Sequence, residues 1–134
     1  MRKSPLILVA DDEPLIAQTL VEILEAEGFE TMAVSDGAAA VLWAREGRPD
    51  IVVCDVIMPT LNGIEAAKQI RQFLPGAQIV LFSGQAAATV LVEQAAAEGY
   101  RFEILAKPIK PDLLLEAITK FLKRSASAAA SKLS

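Results

Sequence analysis

Five polar residues in this 134-residue chain stand at the ends of short apolar runs: Asp11 and Asp12, Asp55, Ser83 and Lys107. The clearest run is Ile51-Val52-Val53-Cys54-Asp55-Val56-Ile57-Met58-Pro59, nearly continuous and rich in β-branched residues. That pattern is a strand buried on both faces of a parallel sheet, and Asp50 before it and Pro59 after it argue against a long helix. An unpaired buried carboxylate is costly, so Asp55 belongs at the mouth of the sheet, where donors or cations reach it. Parallel strands end on one shared edge, and open α/β sheets keep their ligand sites there. Residues distant in sequence therefore converge. Three ionised carboxylates about 4 Å apart cost roughly 4 kcal/mol per pair at an effective dielectric near 20. Lys107 offsets one charge, and a divalent ion is the economical completion; all-oxygen ligation suits Mg²⁺. With a hydroxyl and a lysine beside it, Asp55 has the surroundings to attack phosphorus and form an acyl phosphate. Ser83 and Lys107 would then bind the oxygens that carry the new charge.

Five strand–helix alternations position these groups. Leu6–Ala10 reads as the first strand; Glu13 and Pro14 start a helix whose apolar side is Leu15, Ile16, Leu20, Ile23 and Leu24, and Gly28 stops it. Phe29–Val34 is the second strand, and Ser35-Asp36-Gly37 caps a helix through Ala38, Val41, Leu42 and Ala44 to about Gly47. Trp43, on that helix without polar company, reads as partial core packing. Asn62 caps the third helix, which carries Ile64, Ala67, Ile70, Phe73 and Leu74 and ends at Pro75-Gly76. Gln78–Phe82 is the fourth strand, Ala86–Glu98 an alanine-rich helix, and Phe102–Ala106 the fifth strand. Pro111-Asp112 opens a last helix that buries Leu114, Leu115, Ile118, Phe121 and Leu122. From Ser125 the small-residue tail has no periodicity and reads as disordered or the start of a linker. The fold class is α/β, an open parallel sheet with helices on both faces and right-handed crossovers.

Composition narrows the function. The net charge of −4 gives no electrostatic case for direct nucleic-acid binding. No apolar run approaches the roughly 18 residues of a membrane helix, and the N-terminus lacks a signal-peptide core, so a cytoplasmic single domain is expected. The absence of histidine removes His-based triads and His-ligated metals. Cys54, the single cysteine, lies inside a buried run and reads as inert packing.

Asp11-Asp12, Asp55 with Pro59 and Gly63 downstream, Ser83-Gly84 and Lys107-Pro108 together resemble the receiver domain of bacterial two-component response regulators, over residues 1–124. The resemblance implies a flavodoxin-like (βα)5 sheet of strand order 2-1-3-4-5, an order the flavodoxin-like class is known for. It implies that Asp55 is the phosphoacceptor and that Asp12 and Asp55 ligate Mg²⁺. Asp11 would contribute through water, and Ile57 through its backbone carbonyl. Ser83 would be the switch hydroxyl, Lys107 the phosphoryl-binding cation, and Lys107-Pro108 a cis bond. The implied donor is a histidine kinase or phosphotransfer protein, and the implied output is a changed surface on the fourth helix, fifth strand and last helix. That surface would bind a downstream effector or serve a homodimer, with Val90, Leu91 and Val92 as core or dimer residues. The domain would be no enzyme beyond its own phosphoryl uptake and loss. With no output domain in the sequence, it reads as a stand-alone regulator or a piece ending in its linker.

The chain departs from the family pattern at one position, and the stretch from Gly99 to Lys107 is about one residue longer than usual. Ile104 stands where an inward-turning aromatic is usual, and Phe102, on the same face by alternation, substitutes only partly. Ile57 and Gln85 occupy positions that in the family tune dephosphorylation, and an apolar Ile57 cannot orient an attacking water, so a long-lived acyl phosphate is expected. The competing readings are a degenerate receiver acting as a phosphorylation-independent interaction module, and a small aspartyl-phosphate phosphatase. Ile57, where the latter needs a second acid, and the lack of a cap domain argue against it. Nucleotide binding through G-x-G-x-x-G or a P-loop has no motif here.

Overall fold

The computed structural model describes residues 4–84 and 86–133, and side chains except those of 86–88 and 125–133. Gln85 lies outside the described residues. The elements alternate as β1 (Leu6–Ala10), α1 (Pro14–Ala26), β2 (Glu30–Val34), α2 (Gly37–Gly47), β3 (Ile51–Asp55), α3 (Gly63–Phe73), β4 (Gln78–Ser83), α4 (Ala86–Ala97), β5 (Glu103–Ala106) and α5 (Pro111–Leu133). All pairings are parallel, in the order β2-β1-β3-β4-β5. Each strand is joined to the next in the chain by a helix, as parallel pairing requires, and α2 carries the chain from β2 past β1 to β3.

Strand alternation splits the apolar residues between two cores. On one face Ile7, Val9, Val53, Val80 and Phe82 meet Leu20 and Leu24 of α1 and Leu114, Ile118 and Phe121 of α5. On the other, Leu8, Val52, Cys54, Ile79 and Leu81 meet Ala40 and Ala44 of α2, Ile64, Ala67 and Ile70 of α3, and Ala95 of α4. The alanines let α2 lie close to the sheet. β3 sits in the middle and buries all five residues.

Local signals explain most boundaries. Asp36 accepts from the Ala39 amide at 2.8 Å and Asn62 from the Glu65 amide at 2.9 Å, the N-caps expected for α2 and α3. Gly28, at φ 91°, ends α1. Leu15 is exposed because it lies one residue, about 100°, from Ile16 on the α1 wheel. Leu42 points away from the buried Ala40 and Ala44 for the same reason, and Trp43 is 44% exposed at that helix's rim. The last helix continues to Leu133, where the sequence alone suggested an irregular tail from Ser125. Residues 125–133 hold four alanines and neither glycine nor proline, so extending an existing helix through them costs little.

Candidate functional site

The register brings the strand ends into one row. Ala10 lies opposite Cys54, Asp55 opposite Phe82, and Ser83 opposite Ala106. Asp11 therefore follows β1 beside Asp55, and Lys107 follows β5 two positions beyond Leu105, which is opposite Phe82. The Lys107 side chain reaches back over the edge: its Nζ lies 2.7 Å from Asp55 Oδ2 and 3.7 Å from Asp11 Oδ2. Its backbone amide donates to the Ser83 carbonyl at 3.1 Å, and the Lys107-Pro108 peptide is cis.

Backbone amides hold the two buried carboxylates. Asp11 Oδ1 accepts from the Glu13 amide at 2.9 Å, and Asp55 Oδ1 from the Ile57 amide at 3.2 Å. The first of these also closes the entry to α1, whose N-terminal residue Glu13 has no side-chain cap of its own. Asp11 thus both caps and lines the site. Behind Asp55, the Gly63 amide donates to the Val56 carbonyl at 2.7 Å, and a Cβ at Gly63 would sit 2.0 Å from the Asp55 carbonyl oxygen. Glycine is required for α3 to approach β3 this closely.

Burial pushes the Asp11 carboxyl above its ordinary 3.8, against the Glu13 hydrogen bond and the Lys107 charge; Asp55 and Asp12 add to the rise. Desolvation works against the Lys107 ammonium, but the hydrogen bond and charge of Asp55 outweigh it and raise its pKa. Burial also pushes the Cys54 thiol up, which makes it inert as expected.

Carboxylate oxygens of Asp11, Asp12 and Asp55 lie within 4.8 Å of one another, and Asp11 Oδ2 is buried with no hydrogen-bond partner. An unsatisfied buried oxygen among clustered carboxylates fits a hard divalent cation, which these three residues would hold. The adjoining cleft, about 340 Å³, is lined by Asp12, Glu13, Asp55, Ile57, Gly84 and Lys107. Ser83 is half-buried, one residue behind that wall. The sequence marks Glu13 only as a helix start and Gly84 only as the residue after Ser83, and the structure adds both to the wall of the cleft. A Cβ at Gly84 would lie 3.2 Å from Lys107 Cβ, so glycine leaves room for the lysine to lie across the edge. Ile57 is 39% exposed at the mouth, and Ile104 is 37% exposed on β5.

The chain that builds this cluster of three acids and a bridging lysine has counterparts among known proteins. The model of the response regulator receiver domain matches residues 7–119. The DNA-binding response regulator MtrA of Mycolicibacterium smegmatis is 35% identical over 130 residues, 96% of this chain and 55% of that protein. The chain spans about half the length of the MtrA proteins it matches. The chemotaxis protein CheY of Bacillus subtilis is 35% identical over 117 residues, 87% of this chain and 96% of CheY. Among solved structures, a receiver domain protein from Clostridium thermocellum superposes with a TM-score of 0.84 at 28% identity, covering 92% of this chain and 98% of that one. The receiver domain of the Francisella response regulator 1452 superposes at 0.79 with 29% identity, covering 91% and 99%. The chain belongs to the response regulator receiver domain family.

Proposed function

We propose that this chain is a phosphoryl-accepting switch of a two-component phosphorelay, with Asp55 as acceptor. The observation that carries the reading is the Lys107 ammonium 2.7 Å from a buried Asp55 carboxylate, beside two further acids on the same sheet edge. A phosphohistidine on a histidine kinase or phosphotransfer protein is the donor. An Asp55 oxygen forms the new P–O bond as the donor's P–N bond breaks, and the histidine leaves as a neutral imidazole that keeps the proton already on its other ring nitrogen. Mg²⁺ held by Asp12 and Asp55, with Asp11 through water and the Ile57 carbonyl, would neutralise charge on the transferred oxygens. Lys107 binds one of these oxygens, and Ser83 moves toward another, drawing its loop inward. That movement biases the face of α4, β5 and α5 toward a downstream effector or a second copy of the chain. The chain catalyses only its own phosphoryl uptake and loss, in the cytoplasm where such donors act.

Hydrolysis of the acyl phosphate needs an oriented water. The apolar Ile57 side chain, exposed at the mouth, offers none of that orientation. Phospho-Asp55 is therefore expected to be long-lived, and Ile57→Asn should shorten its half-life when decay of the phosphorylated protein is followed over time. Equal half-lives would remove Ile57 from that role.

The test of the switch is intact mass after incubation with acetyl phosphate, with and without Mg²⁺, on wild type and Asp55→Asn. A Mg²⁺-dependent gain of one phosphoryl group, absent in the variant, is expected. No adduct, together with no response to the stable mimic beryllofluoride, would favour the phosphorylation-independent module, a reading supported by Ile104 standing half-exposed on β5.

A further inference from the structure

A second cleft, about 360 Å³, opens at the opposite end of the sheet. Gln78 begins β4 there, about 13 Å along the strand from Phe82, the partner of Asp55. Three elements send arginines to it: Arg71 from the last turn of α3, Arg101 from the loop before β5, and Arg124 from α5. The chain is acidic overall, so this is a local reversal of charge.

The arginines are held differently. Arg71 Nη1 donates to the Arg101 carbonyl at 3.0 Å and Nη2 to the Ala77 carbonyl at 3.4 Å, and its guanidinium lies 4.9 Å over the Phe102 ring. It clamps the loop before β5 to α3, a structural role. Yet its Nε is buried without a hydrogen-bond partner, an unsatisfied donor on a charged group. Arg124 lies 5.7 Å from the centre of the Phe121 ring. Among the described residues, neither Arg101 nor Arg124 has a carboxylate in salt-bridge reach. The one acid in the wall, Glu103, lies 3.6 Å from Lys120 and is partly neutralised by it.

We propose that this basal cleft binds a phosphate-bearing small molecule. Its volume lies in the lower range of small-ligand pockets, its excess charge is positive, and planar guanidiniums recognise phosphate oxygens in a forked geometry. Arg71 is clamped in place by its carbonyl hydrogen bonds and Arg124 already rests on the Phe121 ring, so the cleft is ordered before a ligand arrives and less freedom is lost on binding. The occupant would bridge α3, β5 and α5. By linkage it would stabilise the folded chain without touching Asp55.

The probes are pyrophosphate and AMP, titrated in Mg²⁺-free, low-salt buffer while the arginine Nε–Hε signals of the ¹⁵N-labelled chain are followed by NMR. Saturable shifts of three such signals are expected. Arg101→Gln and Arg124→Gln should each weaken binding about tenfold, and acetyl phosphate should label Asp55 in both variants as in wild type. Tighter binding of AMP would identify a nucleotide as the source, and equal binding a bare phosphate group; either outcome supports the site. Shifts still linear at roughly 10 mM probe would overturn it, as weak counter-ion association. Unchanged affinity in the double variant would also overturn it, placing the anion elsewhere, such as at Lys107.

Discussion

β3 and β5 carry the two halves of the carboxylate and lysine cluster, and they are built in opposite ways. β3 lies between β1 and β4 and buries every residue, with Asp55 as its last. β5 is an edge strand whose residues alternate between half-buried and exposed, and Lys107 follows it. Under the proposed function, the difference separates two requirements of a switch. An attacking carboxylate must be held in place, whereas the group that reports the new charge must be able to shift. Packing density decides which strand does which, because sparsely buried segments open at lower free-energy cost.

The strongest way to break this contrast is to disturb the wall behind Asp55. In Gly63→Ala the new Cβ would meet the Asp55 carbonyl oxygen at 2.0 Å and the Val56 Cα at 2.9 Å, backbone that has nowhere to move. A loss of at least about 4 kcal/mol is expected in urea denaturation. A loss under about 1 kcal/mol would mean that β3 yields as easily as an edge strand.

The second test removes volume within β3 and leaves the backbone alone. Ile51 is 1% exposed between Ile7 and Gln78 in the register. Ile51→Ala should cost about 3 kcal/mol, because neighbours on three sides cannot collapse into the gap. The midpoint in urea should fall with an unchanged slope.

β3 is also the element most plainly legible in the sequence, and for the same reason. A strand buried on both faces must be apolar throughout, so one carboxylate in Ile51–Asp55 stands out. Asp36 and Asn62 were legible too, since an N-cap is a local contact three residues long. Contacts made across the fold were not. The first residue of β5 is Glu103, while Phe102 lies beneath the guanidinium of Arg71, 31 positions earlier in the chain. Gly84 lines the site because of the space Lys107 occupies above it, and no local pattern encodes that neighbour. The continuation of α5 was missed because small residues without periodicity resemble a linker, although alanine is the best helix former. The carboxylate cluster could be read only because strand order and parallel direction follow from the alternation of elements.

A third, smaller effect concerns Asp11, which joins the two halves through Lys107. Its folded pKa is raised above 3.8, chiefly by burial, so the folded chain binds its proton more tightly than the unfolded chain does. The stability this group contributes is complete below the unfolded value and is lost as pH rises through the folded one. Metal-free wild type should therefore lose stability as pH climbs upward from about 4, and Asp11→Asn should flatten that slope. Thermal denaturation in EDTA across pH 4 to 7 (roughly the interval from the unfolded carboxylate pKa to neutrality) measures it. Parallel slopes in the two proteins would assign the loss to other groups. Adding Mg²⁺ should restore wild-type stability at neutral pH, since a cation that binds only the folded carboxylates stabilises them.

The smallest effect is the sharpest comparison, because it repeats the Ile51 substitution on the other strand. Ile104 is already 37% exposed, so Ile104→Ala returns little apolar surface to water and leaves no closed cavity. Under about 1 kcal/mol is expected, against about 3 for the same change in β3. A cost equal to that of Ile51→Ala would show that β5 is packed as firmly as β3, and the division between a fixed acceptor and a movable reporter would fail. Ile104→Tyr carries the argument from stability to switching. An aromatic ring here could fold against the α4 side when Ser83 moves. If phosphorylation then strengthens effector binding or dimerisation more than in wild type, the isoleucine limits how much of the Asp55 charge reaches the surface. If the response is unchanged, the signal travels through the Ser83 and Lys107 loops alone.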